Sequence, residues 1–241
     1  MIDQVLSRLA TIGMSARRSA EADVRQSDTV PSLVSLVDPV VNGHLWPVHL
    51  PNDAPEITGV YHLAGQDDID IDGFRLGRVD TYVLSLRSPV FDPLRTMSDS
   101  LVARVEVHEG MESWEITDAA TDYEFDPRQY RAHFELQATC IAASGSELPV
   151  AFVHIVKSEA EPNALATCRV RQTVHEEIAI VVVADQTAIE RQRRAITDAL
   201  LGLESSDGVS PLEYAGGQRV MTSGRLVYWR EQYRYQRLIF S

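Results

Sequence analysis

The chain repeats itself. Tyr82-Val83-Leu84-Ser85-Leu86, which reads as a strand, lines up with Ile178-Ala179-Ile180-Val181-Val182 at an offset of 96 residues. Helical positions Met97, Leu101 and Val102 line up with Ile196, Leu200 and Leu201 at 99, and Gln129-Tyr130-Arg131 returns as Gln232-Tyr233-Arg234 at 103. Offsets that rise in chain order are what two diverged copies with small loop insertions produce. A chain of 241 residues has room for two domains of ordinary size. The small, polar run Ala142–Glu147 separates the copies, so the expected division is 1–143, with an N-terminal helix, and 144–241.

Local patterns fill in the two halves. Ile2, Val5, Leu6, Leu9 and Ile12 recur at helical spacing and predict a helix from Ile2 to about Arg25, with Gly13 inside it. Proline-punctuated extended pieces are expected around Leu33–Val41 and Leu45–Leu50, then strands Gly59–Ala64 and Phe74–Leu86. The acidic connection Gln66–Gly73 lies between those two strands, closed by the turn signal Asp72-Gly73. A helix beginning at Asp92-Pro93 and strands Trp114–Ile116 and Tyr130–Ile141 complete the first half. The second half reads as strands Val150–Val156, Ala166–Val174 and Ile178–Val183, a helix from about Thr187 to Leu203, and a last strand pair from Arg225 to Phe240.

Composition excludes several classes. With 44% apolar and 24% charged residues the chain can bury a real core, and its longest strongly apolar run, Ile178–Ala184, is far short of a membrane helix. No basic region followed by an apolar stretch opens it, so no secretory leader is expected. Cys140 and Cys168 are too few for a disulfide framework and read as buried free thiols of a reducing cytosol. A net charge of -13 disfavours gripping phosphate backbones or anionic lipid. Lys157 is the single lysine among 22 cations.

Motifs that carry chemistry are thin. Asp68-Ile69-Asp70-Ile71-Asp72-Gly73 has the first half of a calcium loop, but Val79 stands where the bidentate Glu belongs and the flanks are strands, so no calcium site is expected. None of the seven histidines forms a His-Glu-x-x-His pair, and each reads as a surface or satisfied core histidine. Ser144-Gly145-Ser146 lacks the strand-to-helix context of a nucleophile, and no glycine-rich phosphate loop is present. The terminal Tyr228, Trp229, Tyr233 and Tyr235, interleaved with Arg230, Arg234 and Arg237, read as an antiparallel strand covering a neighbour or a subunit interface. No enzyme activity and no cofactor or metal is expected.

Pro149-Val150-Ala151-Phe152-Val153, the Arg-rich helix Ile189–Leu203, Pro211-Leu212-Glu213-Tyr214-Ala215-Gly216-Gly217 and Leu226-Val227-Tyr228-Trp229 together resemble the tail terminator (tail completion) proteins of long-tailed bacteriophages. The likeness covers the second half well and residues 1–141 loosely. It implies a small α+β fold, a sheet with helices packed on one face. The full expectation is therefore α+β: two similar domains, each an antiparallel or mixed sheet with helices packed on one face. The family implies a structural virion protein that assembles in the host cytoplasm and self-associates into a ring at the head-proximal end of the tail. There it ends tube polymerisation by meeting the tail tube protein and joins the head–tail connector protein, without catalysis or cofactor. Carrying the fold twice leaves trimer and hexamer rings both open. An acidic lumen would let DNA pass without specific binding, and Asp67, Asp68, Asp70 and Asp72 are the candidate lumen or tube-facing contacts. The rival readings are a neck or head–tail connector protein of the same particle, and a soluble ligand-binding module or enzyme.

Overall fold

The computed structural model describes residues 1–22, 28–108, 112–124, 128–141, 148–162, 171–204 and 210–240. In chain order the elements are α1 (Ile2–Thr11), β1 (Ser15–Arg18), α2 (Val30–Val37), β2 (Leu45–Pro47), β3 (Thr58–Ile71), β4 (Phe74–Ser88), α3 (Phe91–Glu106), β5 (Glu112–Glu124), β6 (Gln129–Ile141), β7 (Val150–Ala160), β8 (Arg171–Asp185), α4 (Ile189–Leu200), β9 (Glu213–Ser223) and β10 (Leu226–Phe240). Helix and strand are mixed, with strand predominating. The strands form two five-stranded mixed sheets, ordered β1-β7-β8-β10-β9 and β2-β3-β4-β6-β5.

These two orders are one order. In each, a helix leads to a short strand that lies parallel to the first arm of a hairpin. A second helix then crosses to the far edge strand, and the last strand returns antiparallel between that edge and the hairpin. The first two repeat anchors fall on corresponding elements, β4 with β8 and α3 with α4. The third does not. Tyr82 pairs with Leu136 while Ile178 pairs with Tyr233, so Tyr233 stands where the other sheet has Leu136, not Tyr130. The shared Gln-Tyr-Arg tripeptide is a coincidence of composition.

The chain divides into two compact units, and not at residue 143. The first unit is Met1–Asp23, Asp70–Leu76 and Ala143–Ser241; the second is Val24–Ile69 and Gly77–Ala142. The N-terminal helix, expected with the residues that follow it, lies in the unit of β7 to β10. β1 is what holds it there, pairing Ser15 with Val150 and Arg18 with Val153.

In the first unit α1 and α4 cover one face of the sheet. Val5, Leu9, Ile189, Ile196 and Leu200 pack with Ala151, Val153, Ile178, Ile180, Val182 and Tyr233. The alternate residues Val150, Phe152, Ala179, Val181, Val183 and Tyr228 are buried as well. Burial of both faces explains the unbroken apolar run of β8. The second unit alternates cleanly: Tyr82, Leu84, Leu86, Ala132, Phe134, Leu136 and Ala138 join Leu33, Val37, Leu94, Met97 and Leu101 in one core, and their neighbours along each strand are half-buried.

Several expectations need correction. The first helix stops at Thr11, because Gly13 (φ 75°) closes it: Gly13 N–H donates to Ala10 O and Met14 N–H to Leu9 O, with Leu9 and Met14 buried together. Residues 15–18 are then a strand. Leu33–Val41 is mainly helix α2, where burial of Leu33, Leu36 and Val37 at helical spacing overrides the valine content. Asp92 does not cap α3; Val90 precedes the helix, and Ser88 Oγ accepts the Val90 N–H at 3.2 Å. Arg225–Phe240 is one strand, not a pair, and Val174 and Ile178 lie on the single strand β8. The expected strand start at Ala166, and Cys168, lie outside the described residues, whereas Cys140 is buried as expected.

Candidate functional site

The acidic stretch between the first two strands of the second half-sheet is not a loop. Gln66 to Ile71 continue β3, and the connection shrinks to Asp72-Gly73, whose φ angles of 54° and 81° make the left-handed two-residue turn that such a pair favours. Asp67, Asp68 and Asp70 are exposed on the strand. Beyond Tyr61, the outer edge of β3 has no strand partner among the described residues, since β2 pairs only Gly59 to Tyr61. Three carboxylates in four positions along an open edge repel a second strand of like charge.

Asp72 is different. It belongs to the first unit, where its carboxylate is only 18% exposed. Oδ2 accepts from His154 Nε2 at 2.9 Å and from Arg230 Nε at 3.0 Å, while His154 Nδ1 lies 2.8 Å from Ser19 Oγ. The Phe74 ring lies 4.7 Å from the His154 ring, centroid to centroid. Burial drives the His154 pKa below its ordinary 6.5, against the opposing pull of Asp72. The neutral ring fits the partners: Nε2–H donates to Asp72, and Nδ1 accepts the Ser19 hydroxyl. Ser19, His154 and Asp72 thus share the partners of a nucleophile triad, but Ser19 is buried and Arg230 neutralises the carboxylate, so the chain works as a lock.

Two further carboxylates are buried in the first unit. Glu231 on β10 accepts from Arg193 Nε at 2.7 Å and from Tyr214 O–H at 2.8 Å, and the Arg193 guanidinium lies 3.6 Å from the centroid of Trp229. Gly217 sits against this knot: a Cβ there would collide with Glu231, Tyr214 and Trp229. Glu176 takes Tyr235 O–H and Arg237 Nε; burial and Glu176 both raise the Tyr235 pKa. The second unit has one such centre, Asp80, which accepts from Thr29, Gln66 and Arg78 at 2.7 to 2.9 Å.

No protein-family model matches this chain, and no curated protein matches it.

A cavity of about 430 Å³ in the first unit is lined by Lys157, Glu159, Glu176, Glu177, Arg234 and Tyr235 among others. Its charges are mutually engaged, Lys157 with Glu159 at 2.8 Å and Arg234 with Glu177 at 3.3 Å. Among the described residues no group of three or more His, Cys, Asp or Glu side chains could hold a metal ion, and no helix is long and apolar enough to cross a membrane.

The sequence reading singled out the four aspartates but not their division into three exposed edge residues and one locked turn residue. The buried carboxylates at 80, 176 and 231 went unseen. Only the Pro211–Gly217 signature carried a signal, and its Tyr214 and Gly217 stand at the Glu231 knot. The terminal Tyr and Arg residues do form an antiparallel strand, but Tyr228 and Tyr233 are buried and Arg230 and Arg237 reach carboxylates of the same unit.

Proposed function

We propose that this chain is a structural virion protein of a long-tailed bacteriophage. As a ring, a trimer or a hexamer, it caps the head-proximal end of the tail tube, ends tube polymerisation and meets the head–tail connector. The observation that carries the reading is the shared strand order of the two sheets, with helices on one face of each. Two similar α+β domains, one nested in the chain of the other, are what a duplicated ring-building fold would give. The resemblance of Pro211–Gly217 and its surroundings to tail terminators names the ring. The knot at Glu231 supplies a physical reason for that signature, since a side chain at 217 has no room.

The acidic balance suits a lumen through which DNA passes unbound. Asp67, Asp68 and Asp70 are the residues free to line it or to face the tube, because the Asp72 carboxylate is occupied. Mass photometry of the purified protein, alone and with tail tube subunits, tests the proposal. A ring of three or six chains, and arrest of tube growth on addition, is expected. A strict monomer under both conditions refutes it, and capture by portal-side proteins without effect on tube length moves the assignment to a neck protein.

A further inference from the structure

The two sheets match in topology, but their faces opposite the helices do not. In the first unit that face is filled. Residues 70–76 belong to it, Asp72 is held by His154 and Arg230, and Val183 and Tyr228, paired across the strands, are buried.

In the second unit the same positions are open and charged. Where the first has Val183 opposite Tyr228, the second has Arg87 opposite Arg131; where the first has Val181 opposite Arg230, it has Ser85 opposite His133. None of these four is buried, and His62, on the same side of β3, is exposed. Like charges placed directly across two strands repel. Burial and Arg131 pull the Arg87 pKa down, and Glu124 is the carboxylate at hand, itself paired with Arg131. Arg87 Nε and Arg131 Nε are buried atoms without a hydrogen-bond acceptor. The face is short of a carboxylate.

We infer that this face seats the β7–β8 hairpin of a second copy of the chain, in the manner that residues 70–76 are seated on the first unit. The β7–β8 hairpin is the topological counterpart of β3–β4, which carries residues 70–76. Its first arm is exposed from Ile155 to Ala160, with Ile155 and Val156 the apolar members. It also brings Glu159 and Glu161, both accessible, whose present partners are the exposed Lys157 and His175. Glu159 and Glu161 reaching the Arg87–Arg131 pair gives each guanidinium the bidentate acceptor it lacks. Contact of one unit's hairpin with the other unit's face is heterologous, so successive copies close into a ring.

This inference rests on the ring-forming reading and names the surface that builds the ring. Four proteins decide it by mass photometry, with far-UV circular dichroism as the check on folding: wild type, Arg87→Glu/Arg131→Glu, Glu159→Arg/Glu161→Arg, and the two doubles combined. Each double is expected to weaken assembly at least tenfold, and the combination to restore it. Arg87→Ala, which relieves the repulsion and leaves no reversed charge, serves if the reversed variant fails to fold, and is expected to weaken assembly while staying folded. If wild type assembles and the folded variants assemble equally well, the seat is refuted and the ring reading stands. If wild type stays monomeric with and without tube subunits, both fall. If the Arg87 variants lose only tube binding, the occupant is the tube protein and the inference is overturned.

Discussion

Glu231 offers the sharpest test of how the first unit is held together. It lies on β10, paired with Ile180 on one side and Gly217 on the other, with a side chain 1% exposed. Replacing it by glutamine keeps the volume and removes the charge that Arg193 Nε meets at 2.7 Å. Breaking a buried ion pair by removing one partner costs roughly 3–5 kcal/mol. Arg193 retains Glu190 at 3.0 Å and is 22% exposed, so the low end, about 3 kcal/mol, is the expected loss. The cost comes from the orphaned guanidinium, not from the pair as such. Glu231→Leu combined with Arg193→Met should therefore return to within about 1 kcal/mol of wild type, since apolar replacement of both partners is often neutral or better. Urea unfolding followed by Trp229 fluorescence, in a Trp46→Phe/Trp114→Phe background, measures both. A single-variant loss below about 1 kcal/mol, or a double variant as unstable as the single, would show that the knot is not what organises β9 against β10.

Other outcomes follow from the same geometry. Gly217→Ala should destabilise by about 2 kcal/mol or more, because the added carbon meets Glu231, Tyr214 and Trp229, and the same denaturation series reads it. Because the folded His154 binds its proton more weakly than the unfolded one, the unfolded chain takes up a proton first as the medium acidifies. Stability is thus held above about pH 6.5 and declines below it, so the urea midpoint at pH 5.5 should lie under that at 7.5, and His154→Gln should flatten the difference. Leu101→Ala, fully buried in the second unit, should cost about 3 kcal/mol, and it should shift the unfolding of that unit while Trp229 reports little change.

What the sequence disclosed was local. The spacing of Leu94, Met97, Leu101 and Val105 defines α3 because those four side chains are the ones buried. Asp72-Gly73 declared its turn because few other pairs accept two left-handed residues in succession. The nesting of the units was hidden, since the parallel pairing of Ser15 with Val150 leaves no trace in either segment alone. For the same reason Asp72 looked like its acidic neighbours: its partners, His154 and Arg230, are distant in the chain, and charge density along residues 67–72 says nothing of which carboxylate turns inward. The helix α2 was missed because its valines favour strands until a core on one side rewards the helical repeat.

In both sheets the strand made last is not an edge: β6 enters between β4 and β5, and β10 between β8 and β9. During synthesis each sheet must therefore wait with a vacant slot, its outer strand already carried across by a helix, until the final arm arrives to fill it. The inner unit, Val24–Ile69 with Gly77–Ala142, has its whole chain in hand while the outer one still lacks four of its five strands. Assembly of the polypeptide thus proceeds from its middle toward its ends, and the outer sheet becomes complete only when residues 226–240 have been threaded home.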